Sequence, residues 1–442
     1  MANFYFRVLL TGLLVIGSAS SSFAQLEQWL SRHDYAVDKR LRYENYVYEN
    51  TIRTVRLYPL GIMPGELTDS PMIPLSQPYG FLLEFDELAE DADQYKVKFV
   101  HCNFDWKSSQ LQPIEYLHEY NEFYIMDLEY SMNSKVDYVH YMYRLPRFKV
   151  SGNYLMIVYR ENEDDIIITR RFVIYEETAT IGARVEDAMG SEEGRRNQVV
   201  KFEINYGGIQ LDRPEQNVFV ALRQNYRWDN AIMDLKPLFV KEFQGVLDYN
   251  YFNRENEFSA GNEFRVVDFR DFSTFNIKTV NRFTKMDQVI VLPEKPRTGR
   301  VYNRMDDRDL NGRFLIRSSN TQDAHVEGDY VEVIFTLETP DQYKDGYVYI
   351  LGSFNDWHLE LENQMQYVPN ENAYKASMLM KQGRYDYYYV IYNPETGKRD
   401  ELTIESSHSD TSNEYDIIAY YRSIGSRGDR VIGYKSIRKS RR

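Results

Sequence analysis

Tandem β-sandwiches with little helix are what this sequence predicts, and three observations predict them. Apolar and polar residues alternate with period two along most of the chain, as in Val200, Phe202, Ile204 and Tyr206 between Lys201, Glu203 and Asn205. Turn signals punctuate these runs: Gly207-Gly208 follows the first, and Pro340 follows Val331, Val333, Phe335 and Leu337. The chain also carries 38 Tyr and 24 Phe against 23 Gly and 14 Pro. Aromatic residues suit half-buried pleated surfaces, so the composition leans the same way.

Residues 1–24 read as a secretory signal peptide. Arg7 precedes an apolar run from Val8 to Ile16, and small residues end in Ser22-Phe23-Ala24. The run is too short for a permanent membrane helix. No Cys follows it, so an exported chain starting near Gln25, without a lipid anchor, is expected. Residues 25–48 form an N-terminal segment, with helical periodicity in Gln25–Glu44. A first sandwich is expected over residues 49–178, with strands at Ile52–Tyr58, Tyr95–His101, Asn153–Arg160 and Ile166–Tyr175. A second is expected over 179–293, with strands at Val218–Arg223 and Phe264–Phe269 and a short helix at Asp234–Phe239. Residues 294–322, with Pro296, Gly299 and alternating charges, read as a linker. A third sandwich is expected over 323–424, with strands at Tyr347–Leu351 and Tyr385–Tyr392, and residues 425–442 form a basic tail. A transmembrane barrel is rejected, because its outward faces would need apolar, uncharged strand positions, whereas candidate strands such as Tyr95-Lys96-Val97-Lys98-Phe99 carry charge.

Charge and chemistry exclude several function classes. The net charge of −14, −15 once Arg7 is removed, argues against a nucleic-acid binder. One cysteine, Cys102, permits no internal disulfide, so stability must come from packed cores. The seven His residues show no zinc spacing, and neither a nucleophile elbow nor a phosphate-cradling loop is present. His101 and Cys102 are adjacent on a strand and so point to opposite faces, which argues for a buried thiol rather than a nucleophile. Asp307-Arg308-Asp309-Leu310-Asn311-Gly312 matches half of a calcium loop, but Ser318 stands where the bidentate Glu belongs. An Asn-Gly turn launching a strand at Arg313 is the favoured reading. No catalytic residue, metal site or cofactor is expected.

Two strings carry resemblances. Gly352-Ser353-Phe354-Asn355-Asp356-Trp357, after the Tyr347–Leu351 strand, resembles the turn of glycogen- and starch-binding modules of the early-set immunoglobulin-like class. That resemblance makes Phe354, Asn355 and Trp357 candidate carbohydrate-binding residues. A second aromatic platform is missing from this part of the chain, so Trp357, like Trp106, is expected to pack inward. The ordered set Ile52–Pro59, Val100-His101-Cys102-Asn103-Phe104-Asp105-Trp106, Glu115-Tyr116-Leu117, Tyr130-Ser131-Met132-Asn133, Ser151–Leu155 and Thr169-Arg170-Arg171-Phe172 resembles the N-terminal domain of type IX secretion plug proteins of Bacteroidota. Tyr420-Tyr421-Arg422 and Asp429–Tyr434 resemble that family's C-terminal part. The resemblance implies a non-catalytic protein on the periplasmic face of the outer membrane. Its implied partner is a large outer-membrane translocon barrel, with membrane association through that partner and no small-molecule substrate. A carbohydrate-binding protein using the Trp357 domain is the alternative.

Overall fold

The computed structural model describes residues 39–61, 70–272, 277–282, 286–301, 309–319, 321 and 323–439. The signal peptide, most of Gln25–Glu44, and Asp307 lie outside them. The described chain is all-β, in three sandwiches.

The first sandwich sets two sheets face to face. One runs in the order Tyr46–Val47, Ile166–Tyr175, Gly152–Tyr159, Lys96–Cys102, Phe123–Tyr124, with Met72–Pro74 added beside Ile166–Tyr175. The other runs Ile52–Pro59, Phe81–Glu87, Val139–Arg144, Asp127–Tyr130. Their inner faces bury Leu83, Phe85, Val97, Phe99, Tyr141, Tyr154 and Phe172. All residues of Gly152–Tyr159 are buried. That strand lacks alternation because its other face is covered as well.

What covers it is the second sandwich. Leu155 and Ile157 pack with Ala221, Ile418, Tyr420 and Val431 in one cluster. Ala221 belongs to Val218–Gln224, which pairs with Glu414–Tyr421, which in turn pairs with Arg430–Arg438. The opposing sheet is built on Thr180–Asp187 and Asn197–Asn205. Hence the second sandwich is closed by the end of the chain, and the basic segment 425–442 supplies an edge strand rather than only a tail. Conversely, Arg265–Asp268 pairs with Gly383–Asn393, and Asp287–Val291 pairs in parallel with Tyr330–Glu338. The strands Arg265–Asp268, Ile277–Arg282 and Asp287–Val291, expected in the second sandwich, lie in the third. The third sandwich is therefore inserted within the second. The boundaries at 293 and 424 cut through sheets, because local alternation does not encode which distant strand is the partner.

Asp234–Phe239 is not helical. Asp234 has a positive φ of 57° and Phe239 opens the strand Phe239–Lys241. Among the described residues, no helix is long and apolar enough to cross a membrane.

Candidate functional site

The Gly352–Trp357 turn is the natural starting point, because the carbohydrate candidates lie on it. Gly352 leads into the single turn Ser353–Asn355. A Cβ on Gly352 would meet the Phe354 ring at 2.4 Å and the Asp386 carbonyl at 2.5 Å, so only glycine fits. Asn355 donates to the Ile350 carbonyl at 2.9 Å and accepts from the Gly352 N–H at 3.1 Å. Phe354 meets Tyr385 edge-on. Trp357 is 7% exposed, with the Arg227 guanidinium 4.4 Å from its ring centroid and Tyr388 and Phe264 beside it. A face stacked by a guanidinium cannot also stack a sugar. Phe354, Asn355 and Trp357 thus fix a joint: His358 Nε2 meets the Asn45 carbonyl at 2.7 Å, and Asp356 pairs with Arg170 at 3.1 Å. Both partners belong to the first sandwich's side.

Asn311 and Gly312, at φ of 53° and 80°, form the turn before Phe314–Ile316. Asp309 accepts the Phe264 N–H at 2.6 Å. Burial, and then Glu263, push its carboxyl up to about 7.

His101 and Cys102 do face apart. His101 sits in the first core against Tyr154 and Tyr116, with Nδ1 2.9 Å from Ser109 Oγ. Cys102 lies in the cluster shared with the second sandwich, and burial pushes its thiol up to about 12. It is a protonated packing group at neutral pH.

The densest polar constellation lies between the first and third sandwiches, and no sequence motif announces it. Asp86, fully buried, holds His140 Nδ1 at 2.7 Å and accepts from Tyr330 OH at 2.5 Å and Lys381 Nζ at 2.7 Å. Beside it, Glu84, His140 and His325 bring three potential ligand atoms within 4.8 Å of one another. The Arg56 guanidinium already occupies that centre, with Nη2 2.5 Å from Glu84 Oε2 and 3.0 Å from His325 Nδ1. A dication there would meet two fixed cations, Arg56 and Lys381, so the group is an ion network joining two sandwiches. Burial works against ionisation of Asp86, yet Lys381 and His140 hold it down at about 2. Glu84 is held low by Arg56 against the same penalty. His140 is raised, because its carboxylate partners outweigh burial.

Burial, reinforced by Arg56, lowers His325 to about 4, and burial lowers His101 to about 4. Both imidazoles are neutral when folded but reach 6.5 when exposed, so the unfolded chain binds more protons as pH falls. Their stabilisation is complete above pH 6.5 and is lost as pH drops toward about 4. For His101 alone the loss is about 3 kcal/mol. Urea unfolding at pH 7 and 4.5 should show this slope, and His101→Gln should flatten it; a pH-independent midpoint would contradict it. The carboxylates act in a separate window, below about pH 4.

Where all three sandwiches meet there is a cleft of about 390 Å³. Its walls include Arg170 and Arg171 from the first sandwich, Arg223, Arg227 and Trp228 from the second, and Arg313 and Trp357 from the third. Trp228 meets Trp106 edge-on at 4.9 Å, and Arg223 covers it at 4.6 Å. Sequence inspection quotes Arg170-Arg171 only as part of a motif; their convergence with arginines from two other sandwiches is a product of the fold.

A different kind of surface runs along the open edges of the first sandwich. Ile114, Tyr120, Tyr124, Met126, Tyr130 and Met132 are between 52 and 85% exposed. The strands Phe123–Tyr124 and Asp127–Tyr130 are the outermost strands of their two sheets.

Residues 52–176 match the family model described as type 9 secretion system plug protein 1st domain. No curated protein sequence matches the chain. Among solved structures, a hypothetical protein from Parabacteroides merdae ATCC 43184 is 31% identical, with a TM-score of 0.83. The alignment covers 90% of this chain and 100% of that one. The matched domain is the first sandwich, and the likeness to the Parabacteroides structure extends over the other two. The chain belongs to the type 9 secretion system plug protein family, with a role in that secretion system of the cell envelope.

Proposed function

We propose that this protein is an exported, non-catalytic plug that closes the periplasmic mouth of a large outer-membrane translocon barrel. The observation that carries the reading is the apolar ribbon Ile114–Met132, which lies inside the family-defining sandwich. Large apolar side chains exposed repeatedly in one segment of a domain mark an interaction site. Its Tyr and Met composition, flanked by Glu119, Glu122 and Glu129, suits a partner that must be released. Two open sheet edges beside it offer unpaired backbone groups to a partner's rim. The bulk needed to occlude a wide pore comes from three sandwiches locked together by buried contacts.

The test uses the double substitution Tyr120→Asp, Met126→Asp in the full-length chain. Both side chains are exposed, so stability should change by no more than about 0.5 kcal/mol each. Co-purification with the outer-membrane barrel should be lost. Cells carrying the variant, or lacking the protein, should admit large dyes through the outer membrane while still secreting cargo. If deletion abolished secretion without raising permeability, the protein would be an assembly factor and not a plug.

A further inference from the structure

In a chain of net charge −14, the three-sandwich cleft is lined by six arginines and only Glu44, Asp229 and Asp356 as acids. Five of the six are structural, each with an acid at ion-pair distance. Arg56 has Glu84 at 2.5 Å, Arg170 has Asp356 at 3.1 Å, Arg223 has Asp416 at 2.9 Å, Arg227 has Asp229 at 2.7 Å, and Arg313 has Glu414 at 3.7 Å. Arg171 has none among the described residues. Its Nε donates to the Tyr43 carbonyl at 2.8 Å, and Nη2 donates to the same oxygen. Its plane lies over Trp106, 4.4 Å from the ring centroid, with Trp228 at 5.7 Å. The third nitrogen, Nη1, makes no hydrogen bond among the described residues. Burial, opposed by Glu44, brings its pKa down to about 10. Arg171 is only half-buried, and it lines the cleft with no acid at ion-pair distance among the described residues.

We infer that the cleft binds a small oxyanion, a molecule bearing phosphate or carboxylate, through Arg171. The edge that the Tyr43 carbonyl leaves open, Nη1 with the second N–H of Nη2, matches the planar, bidentate geometry of those groups, and stacking on two indoles holds it in place. The volume of about 390 Å³ is that of a small-molecule site. It is too small for a folded partner, and Trp228, Phe314 and Trp357 stand beside the arginines in its walls. Because the walls come from all three sandwiches, an anion there would tie them to one another. This inference is independent of the docking ribbon, which lies on another part of the first sandwich.

The experiment titrates the mature protein with sodium pyrophosphate and, separately, citrate, against sodium chloride at matched ionic strength. Calorimetry should show saturable binding of at least one probe, and the melting temperature should rise with it. Arg171→Gln should weaken binding at least about tenfold and abolish the rise. Should that variant fail to fold, Arg171→Lys keeps the charge without the fork and should bind measurably more weakly. No saturable heat from either probe with the native protein would overturn the inference. So would an Arg171→Gln protein that melts lower without anion yet keeps the same anion-induced rise, since Arg171 would then be packing alone. Equal binding by Arg171→Lys, tested in its place, would count against it in the same way.

Discussion

Replacing Asp86 with Ala is expected to destabilise the protein by about 3–5 kcal/mol, the cost of breaking a buried ion pair from one side. The substitution strands Lys381, whose side chain is 1% exposed and whose ammonium, among the described residues, otherwise has only the His325 carbonyl, at 2.5 Å, as a close oxygen. It also removes the acceptor of the Tyr330 hydroxyl and the group that orients His140. Asp86 belongs to the first sandwich and Lys381 and Tyr330 to the third, so the loss falls on the joint between them. Chemical denaturation should therefore show a broadened or split transition. The double variant Asp86→Ala, Lys381→Met removes both charges, and an apolar side chain suits the buried site, so most of the loss should return. A single variant costing under about 1 kcal/mol, or a double variant no better than the single, would show that the network contributes little.

A stop codon after Ser423 is expected to have a larger effect, because it removes an entire strand. Arg430–Arg438 pairs along Glu414–Tyr421, and Val431 and Ile432 are fully or almost fully buried at 0 and 1% exposure. Their carbonyls accept the N–H groups of Glu176 and Ala179, at 2.7 and 2.8 Å, which sets where the first sandwich hands over to the second. Asp429 accepts the Phe104 N–H at 2.9 Å and pairs with Arg422. Without these residues the second sandwich has an uncovered core, and the outer face of the first loses its lid. Limited proteolysis should cut the truncated protein rapidly between residues 180 and 260, while the native protein resists. Comparable resistance in both would mean that the last strand is dispensable.

Most strands were legible in the sequence, since a half-buried strand writes its burial as alternation. Asn197–Asn205 and Tyr330–Glu338 show this plainly. Arg430–Arg438 was hidden because it lies at a sheet edge, where Lys435 and Arg438 face water; basic side chains there protect an edge and mask the strand. The pairing of Val218–Gln224 with Glu414–Tyr421 was illegible for another reason: partners so far apart in the chain leave no local trace. The glycine-led turn at Gly352 could be read as a fold marker, and Trp357 packs inward as expected. What the sequence does not show is that its ring is capped by Arg227 from another sandwich. Asp86, Lys381 and Arg171 look like ordinary polar strand residues, and only the burial of their surroundings gives them a role.

The insertion of the third sandwich within the second also sets a timetable. During synthesis the chain emerges from its N-terminus, and units fold as their strands become available. The first sandwich has all its strands once Ile166–Tyr175 is out, and the third once Lys398–Asp400 is out. The second must wait for Glu414–Tyr421 and Arg430–Arg438, with Val200, Phe202 and Ile204 of its first sheet only partly covered, by Val218–Gln224, until then. That interval is the protein's most aggregation-prone moment, and it ends only when the final strand completes the second sandwich.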